Sequence, residues 1–276
     1  MQSPRSDPNL LEVGSAAKVQ TPATVPTEIK IISYNIRWRG GADLLKLIEY
    51  LRSDQEIGGA DILGLQEVDR GKKRTNQINT ARQIAEALGM NYAWAAPPRT
   101  EDEQAEDETG VAILSKYPLT DVERLVLPNA GPGGRHRAAI GATVLMGANR
   151  LRVYSLHAET RIPVDRKVEQ FGAVLSSLKS RPQENHAIVL GDFNTIKSRD
   201  VTRTIKLFTD AGFSTPLPVN RPTWKFYLFK LKLDWVWLKG LDATGSDIVR
   251  RIDLSDHWPI WIKVKVSEDN SDFTAK

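Results

Sequence analysis

A layered α/β domain, with paired sheets in its core and helices outside, is the architecture this sequence predicts, and three observations carry it. Short apolar runs that stop at polar residues recur along the chain, the mark of buried strands. Amphipathic segments with helical spacing lie between them. The two kinds alternate through 276 residues without an interior low-complexity break, which suits one large domain rather than two and more strands than a minimal doubly wound fold holds.

Taken in order, the first strand is Ile29 to Asn35, which Trp38-Arg39-Gly40-Gly41 ends before a helix over roughly Ala42 to Arg52 with Leu44, Leu45, Leu47, Ile48 and Leu51 as its buried stripe. Asp61 to Gln66 is the next strand and runs into Glu67. Residues 76–88 form a second helix that stops at Gly89, and Asn91 to Ala95 returns as a strand. Strands follow at Val111 to Ser115, Arg137 to Leu145 and Leu151 to Leu156, the last two joined by a turn around Gly147-Ala148-Asn149. Pro163 opens a long helix to about Leu178 whose apolar set is Val164, Val168, Phe171, Val174, Leu175 and Leu178. The run Ile188-Val189-Leu190 stops at Gly191-Asp192-Phe193-Asn194, a buried strand delivering side chains to the rim of a sheet, with Asp192 and Asn194 expected on the same side. A short helix over Val201 to Asp210 and strands at Leu233 to Leu238 and Trp258 to Val266 complete the pattern.

Residues 1–28, rich in Pro, Ser and Thr, read as a flexible leader, 29–266 as the folded domain and 267–276 as a disordered tail. The acidic run Glu101 to Glu108 reads as a solvated hairpin loop held open by like charge, with metal or partner binding as the alternative. Formal net charge is +4, from 38 basic and 34 acidic residues, a mild bias that suits a phosphorylated or polyanionic substrate. No Cys is present, which excludes disulfides, thiolate metal sites and cysteine nucleophiles. No run reaches the length of a transmembrane helix, and a cytoplasmic placement is favoured over secretion after removal of a signal peptide. Oligomeric state is not legible.

The polar residues at the strand ends are Asn35, Glu67, His157, Asp192 with Asn194, Asp234, and Asp256 with His257. Carboxylates, amides and imidazoles gathered at such ends are what active sites of layered α/β proteins are made from. The chemistry they support is metal-assisted phosphoryl transfer. Mg²⁺, with Mn²⁺ as a substitute, takes hard oxygen ligands, and Glu67, Asn35 and Asp256 supply them; few histidines and no thiols argue against structural zinc. An Asp near a phosphate makes sense where a cation screens it and it orients or deprotonates a water.

These residues carry a resemblance. Tyr34-Asn35, Leu65-Gln66-Glu67-Val68-Asp69, Leu156-His157, Gly191-Asp192-Phe193-Asn194, Leu233-Asp234-Trp235 and Leu254-Ser255-Asp256-His257 resemble, in order and spacing, the endonuclease/exonuclease/phosphatase (DNase I-like) superfamily. The likeness implies a four-layered α/β/β/α sandwich that hydrolyses phosphoesters with a divalent cation. It implies Glu67 as the principal metal ligand with Asn35 and Asp256 beside it, Asp192 as the group positioning or activating the attacking water, and Asn194 on the phosphate. It also implies His257 as phosphoryl contact or proton donor with its tautomer fixed by Asp234, and His157 as a second donor. Arg137, or its neighbour Arg135, is the candidate for a further phosphate contact.

Such a core does not choose its substrate; the loops do. Arg70, Lys72, Lys73 and Arg74, with Arg37 and Arg39 flanking Trp38, favour a nucleic-acid phosphodiester. The stretch Trp224 to Lys230 reads equally as an apolar lip for a lipid head group, and a phosphorylated sugar or a non-catalytic phosphate-binding module is the remaining alternative.

Overall fold

A computed structural model of the protein describes residues 8–17, 24, 26–99 and 107–266. Its strands are β1 (Leu11–Ser15), β2 (Glu28–Asn35), β3 (Ile62–Arg70), β4 (Asn91–Ala95), β5 (Glu108–Ser115), β6 (Leu119–Val126), β7 (Ala138–Met146), β8 (Asn149–His157), β9 (Ala187–Asp192), β10 (Trp224–Phe226), β11 (Phe229–Leu231), β12 (Asp234–Lys239), β13 (Ala243–Ile248) and β14 (Ile260–Lys265). The helices are α1 (Gly41–Ser53), α2 (Thr80–Leu88), α3 (Val164–Lys179) and α4 (Ser198–Asp210). A seven-stranded sheet runs β1-β4-β5-β3-β2-β14-β13, a five-stranded sheet runs β12-β9-β8-β7-β6, and β10 and β11 form a separate hairpin.

Why the sheets stack follows from the strand sequences. Ile31 and Ile62 of the larger sheet meet Ile188, Leu190 and Val236 of the smaller in one buried cluster between the sheets. Their neighbours Ile32, Leu63 and Leu65 face outward into a cluster with Leu44, Leu47, Ile48 and Leu51 of α1 and Ala81, Ile84 and Ala85 of α2. On the far side, Val189, Trp235 and Trp237 meet Phe171 and Val174 of α3 and Phe208 of α4. Strands covered on both faces read as near-continuous apolar runs, and the result is the expected α/β/β/α order of layers. Among the described residues no helix is long and apolar enough to cross a membrane.

Several expectations need correction. Part of the leader is ordered: β1 pairs antiparallel with β4, and the Glu12 side chain accepts hydrogen bonds from Tyr92 and Arg82. A short, polar edge strand such as Leu-Glu-Val-Gly-Ser carries too weak a periodicity to be seen alone. Helix α2 begins at Thr80 rather than residue 76, because the Asn79 side chain caps it by accepting from the Arg82 N–H. Leu45 of α1 is 61% exposed. The first half of α3 buries Lys167 and Gln170 instead of Val164 and Val168, since it faces polar loops at the sheet rim rather than the apolar core. Strands β6 and β13 and the β10–β11 hairpin escape the sequence pattern, the first two being half-exposed and of mixed polarity. Of the acidic run, residues 101–106 lie outside the described residues, as does the tail 267–276; Glu108 opens β5 and Asp107 pairs with Lys72 at 2.9 Å.

Candidate functional site

Parallel strands finish, and antiparallel strands begin, at the same edge of a sheet, and this places the predicted residues together. β2 pairs with β3 in parallel, and β8 with β9, so Asn35, His157 and Asp192 close their strands at one rim. β12 runs antiparallel to β9 and begins there with Asp234. The register sets His157 opposite Asp192 and Asp192 opposite Asp234, a row of three functional side chains across adjacent strands. His257, ahead of β14, reaches the row by a hydrogen bond from Nδ1 to Asp234 Oδ2 at 2.8 Å.

The larger sheet supplies the other half. A register shift between Gln66 and Val68 puts Glu67 on a bulge, with its backbone in the left-handed region at φ 54°. A bulge re-aims the side chain that a regular strand would turn away, and Glu67 is half-exposed, as is Asp256. Asn35 bridges the sheets, its Nδ2 donating to Glu67 Oε1 at 3.2 Å and to Asp192 Oδ2 at 3.1 Å. Its Oδ1 accepts from the Arg37 N–H, and the Arg37 guanidinium lies 3.4 Å from Asp256. Gln66 ties the layers behind the site by donating to Ser155 Oγ at 3.0 Å.

Asp192 and Asn194 do not share a side by strand alternation. β9 ends at Asp192, and Asn194 turns left-handed at φ 52°. The relation is closer than predicted: the Asn194 backbone N–H donates to Asp192 Oδ1 at 3.0 Å, while its side chain donates to Ala158 O. Lys167 of α3 holds the Asn194 carbonyl at 2.6 Å. Gly191 makes the approach possible, because its φ is 133° and an added Cβ would lie 2.1 Å from Leu156 O. Gly191→Ala is therefore expected to cost about 3 kcal/mol or more, read as a loss of urea midpoint or of soluble protein; a stable, active variant would show that this close approach is not needed.

Electrostatics follow from burial and company. Burial pushes the Asp192 carboxyl up to about 7, reinforced by Asp234 and Glu67 and opposed by His257 and the Asn194 N–H. For His257 burial disfavours the charged ring, but Asp234 and Asp192 outweigh it and hold the imidazole protonated well above its usual range. His157, 3.5 Å from Asp192 through Nε2, is pushed well down by burial, with Arg137, His257 and Arg135 adding to it, and stays neutral. Arg137 is held by Glu159 at 2.9 Å, within electrostatic reach of His157 rather than pointing freely at the rim.

Among the described residues no Lys or Arg lies within ion-pair distance of Glu67, Asp192 or Asp234. Asp192 and Asp234 have the charged His257 ring as their cation, whereas Glu67, a hard oxygen donor at the same rim with no described Lys or Arg paired to it, fits a hard divalent ion. One ligand atom each of Asp192, Asp234 and His257 lies within 4.8 Å of the others, a spacing such an ion could bridge. The Asp234–His257 bond already engages one of those pairs, whereas Glu67 is half-exposed; Asn35 joins a ligand set with Glu67 only if its amide turns over and releases the Arg37 N–H.

Sequence reasoning missed three supports. Thr223 Oγ1 accepts from the backbone N–H groups of Leu233 and Asp234, Trp224 Nε1 donates to Asp256 Oδ2 at 3.2 Å, and Lys167 braces Asn194. Each acts across the fold, and only the buried Lys in an apolar helix face left any trace in the pattern. His136 bonds the Leu127 carbonyl, away from the cluster.

The family model described as the Endonuclease/Exonuclease/phosphatase family matches residues 32–257. Comparison with curated proteins finds no match. Among solved structures, an endonuclease/exonuclease/phosphatase from Beutenbergia cavernae shares 17% identity over 87% of this chain and 72% of that one, with TM-score 0.69. D. rerio TDP2 complexed with single strand DNA product shares 18% over 87% of this chain and 100% of that one, TM-score 0.67. The human Nocturnin catalytic domain with bound sulfate anion shares 18% over 88% and 96%, TM-score 0.66. At these identities the likeness is one of fold.

Proposed function

The chain belongs to the endonuclease/exonuclease/phosphatase family, and from that premise we propose that it is a divalent-cation-dependent phosphodiesterase acting by attack of water on phosphorus at the Asp192 rim. The observation that carries the reading is the cross-strand row His157, Asp192, Asp234 with His257 bonded to its end at 2.8 Å.

In this reading Asp192, as carboxylate, accepts a proton from the attacking water, oriented by the Asn194 N–H on one oxygen and Asn35 on the other. His257 carries a proton on Nε2 because Asp234 holds Nδ1, so it donates to a phosphoryl oxygen as negative charge gathers there. His157 binds the same group from the other side, and Asn194 helps hold it. Glu67 and Asp256 would hold the cation, with Asn35 steadying the Glu67 carboxylate through Nδ2; when bound, the cation would neutralise charge on the phosphoryl group. Mg²⁺ suits the oxygen donors and Mn²⁺ can replace it.

For the substrate, a phosphodiester carried on a lipid is the reading the rim supports best. The basic residues that favour nucleic acid in the sequence are largely engaged: Arg70 with Glu12 and Glu108, Lys72 with Asp107, Arg74 with Asp69, Arg39 with Asp43 and Arg37 with Asp256. What stands open at Asp256 is a cleft of about 540 Å³ whose lining includes Arg37, Arg39, Lys225, Phe226, Tyr227 and Asp253. A nucleic-acid diester is the second reading, favoured by Trp38, whose ring is flanked by Arg37 at 5.4 Å and Arg74 at 4.2 Å.

Hydrolysis of bis-p-nitrophenyl phosphate tests the chemistry. Chelation is expected to stop turnover and Mg²⁺ or Mn²⁺ to restore it. Glu67→Gln is expected to raise the Mg²⁺ needed for half-maximal rate by at least about tenfold, the loss seen when even a group supporting a metal ligand is removed. No rate with any divalent cation would leave only a phosphate-binding module.

A further inference from the structure

Resting on the lipid-linked reading of the cleft, we propose that the β10–β11 hairpin is a docking element that inserts its tip into an anionic phospholipid surface and holds the cleft over it. The hairpin stands apart from both sheets, and its side chains are sorted by its register. Trp224 pairs with Leu231 and Phe226 with Phe229, so these four share one face, while Lys225 pairs with Lys230 on the other. The tip is Tyr227-Leu228. Exposures of 53% for Phe226, 88% for Tyr227, 94% for Leu228 and 72% for Phe229 make it the largest run of exposed apolar side chains among the described residues. A soluble surface rarely keeps such a run without using it.

Backbone conformation points the same way. Tyr227 sits at φ 51°, a left-handed position that Gly or Asn would occupy at less cost. An aromatic side chain kept at a strained, solvent-facing turn contributes nothing to the core.

The cations are placed as an interfacial element needs them. Lys225 and Arg250 flank the Trp258 ring at 5.7 and 5.3 Å, Lys225 being paired with Asp253 at 2.7 Å, and Lys230 lies beside Lys225 across the hairpin. Among the described residues Lys230 and Arg250 make no ion pair. Long basic side chains extend to the head groups while aromatic and aliphatic ones enter the acyl boundary. Strands of three residues reach about 10 Å, the depth of an interfacial insertion.

The hairpin is also fastened to the chemistry. Trp224 donates to Asp256 Oδ2, the Lys225 N–H donates to Asp256 O, and Trp224 bridges to His257. Phe226 and Tyr227 line the same cleft as Asp256. A tip seated in the surface would therefore bring a head-group phosphodiester to the rim without lifting the lipid out. Leu228, the most exposed residue of the tip, has no ring face, so stacking on bases does not account for it.

The test uses the full chain and sedimentation with vesicles of phosphatidylcholine, alone or mixed with phosphatidylserine. The expected result is binding to the mixed vesicles that weakens with salt and falls about tenfold or more in Leu228→Asp with Phe229→Ser, while hydrolysis of soluble bis-p-nitrophenyl phosphate is unchanged. Absence of wild-type binding, or equal binding by the double variant, overturns the proposal. So does a labelled single-stranded oligonucleotide, or a second copy of the chain, being the partner whose binding the substitutions abolish while vesicles are ignored. Vesicle binding that responds to the substitutions supports the docking element whether or not the soluble ester is cleaved; lack of cleavage counts against the catalytic reading instead.

Discussion

Asp192→Asn is expected to lower kcat on a soluble phosphodiester by about 10³-fold or more while the protein stays folded, the range for loss of a positioned general base together with its orienting role. The carboxylate closes β9 opposite both His157 and Asp234, and Asn35 and the Asn194 N–H hold its two oxygens. An amide keeps the shape but cannot take a proton from water. Stability should move the other way. The carboxyl is pushed up by burial, Asp234 and Glu67 to about 7, from 3.8, so the folded state binds the proton more tightly than the unfolded chain. Wild-type stability then falls as pH rises from about 4 to about 7, and the variant escapes that loss. In chelator, the two proteins should melt together near pH 4, with the variant gaining as pH rises. Wild-type turnover in Asp192→Asn would end the assignment, and a variant less stable at pH 8 would show that His257 depends on the charge more than the burial costs.

His257→Ala should cost about 10²-fold or more in kcat, as removal of a transition-state donor ordinarily does. The ring is buried, its Nδ1 lies 2.8 Å from Asp234, and its Nε2 lies 3.7 Å from Asp192. Asp234→Asn tests how that ring is held. Losing the carboxylate removes the attraction that keeps the imidazole charged, so the alkaline limb of the pH–rate profile should move to lower pH. A merely structural Asp234 would lower activity at every pH without moving the limb. A kcat for His257→Ala close to wild type would mean that His157 alone supplies the donor.

How far the sequence reached is clear at particular residues. Asn35, Glu67, His157, Asp192, Asp234 and His257 were legible because each lies at the end or start of a short apolar run, and an apolar run stopped by a polar side chain is a local signal. Arg70 and Arg74 were misleading for the same reason: local composition shows a basic cluster, but only the fold shows Glu108 and Asp69 opposite them. The hairpin tip was visible as aromatic composition, whereas its two-faced register required the pairing of Lys225 with Lys230.

By itself, then, the sequence determined the layered α/β class, the strands buried on both faces and the set of polar groups at their ends, since hydrophobic periodicity and strand termination are properties of neighbouring residues. Tertiary structure alone decided that β1 closes the sheet edge, that Glu67 is turned by a bulge, that Asn194 meets Asp192 through its backbone, and that an exposed hairpin stands beside Asp256. Those depend on register, on left-handed turns and on contacts between residues far apart in the chain, and no local pattern encodes which partner burial will bring.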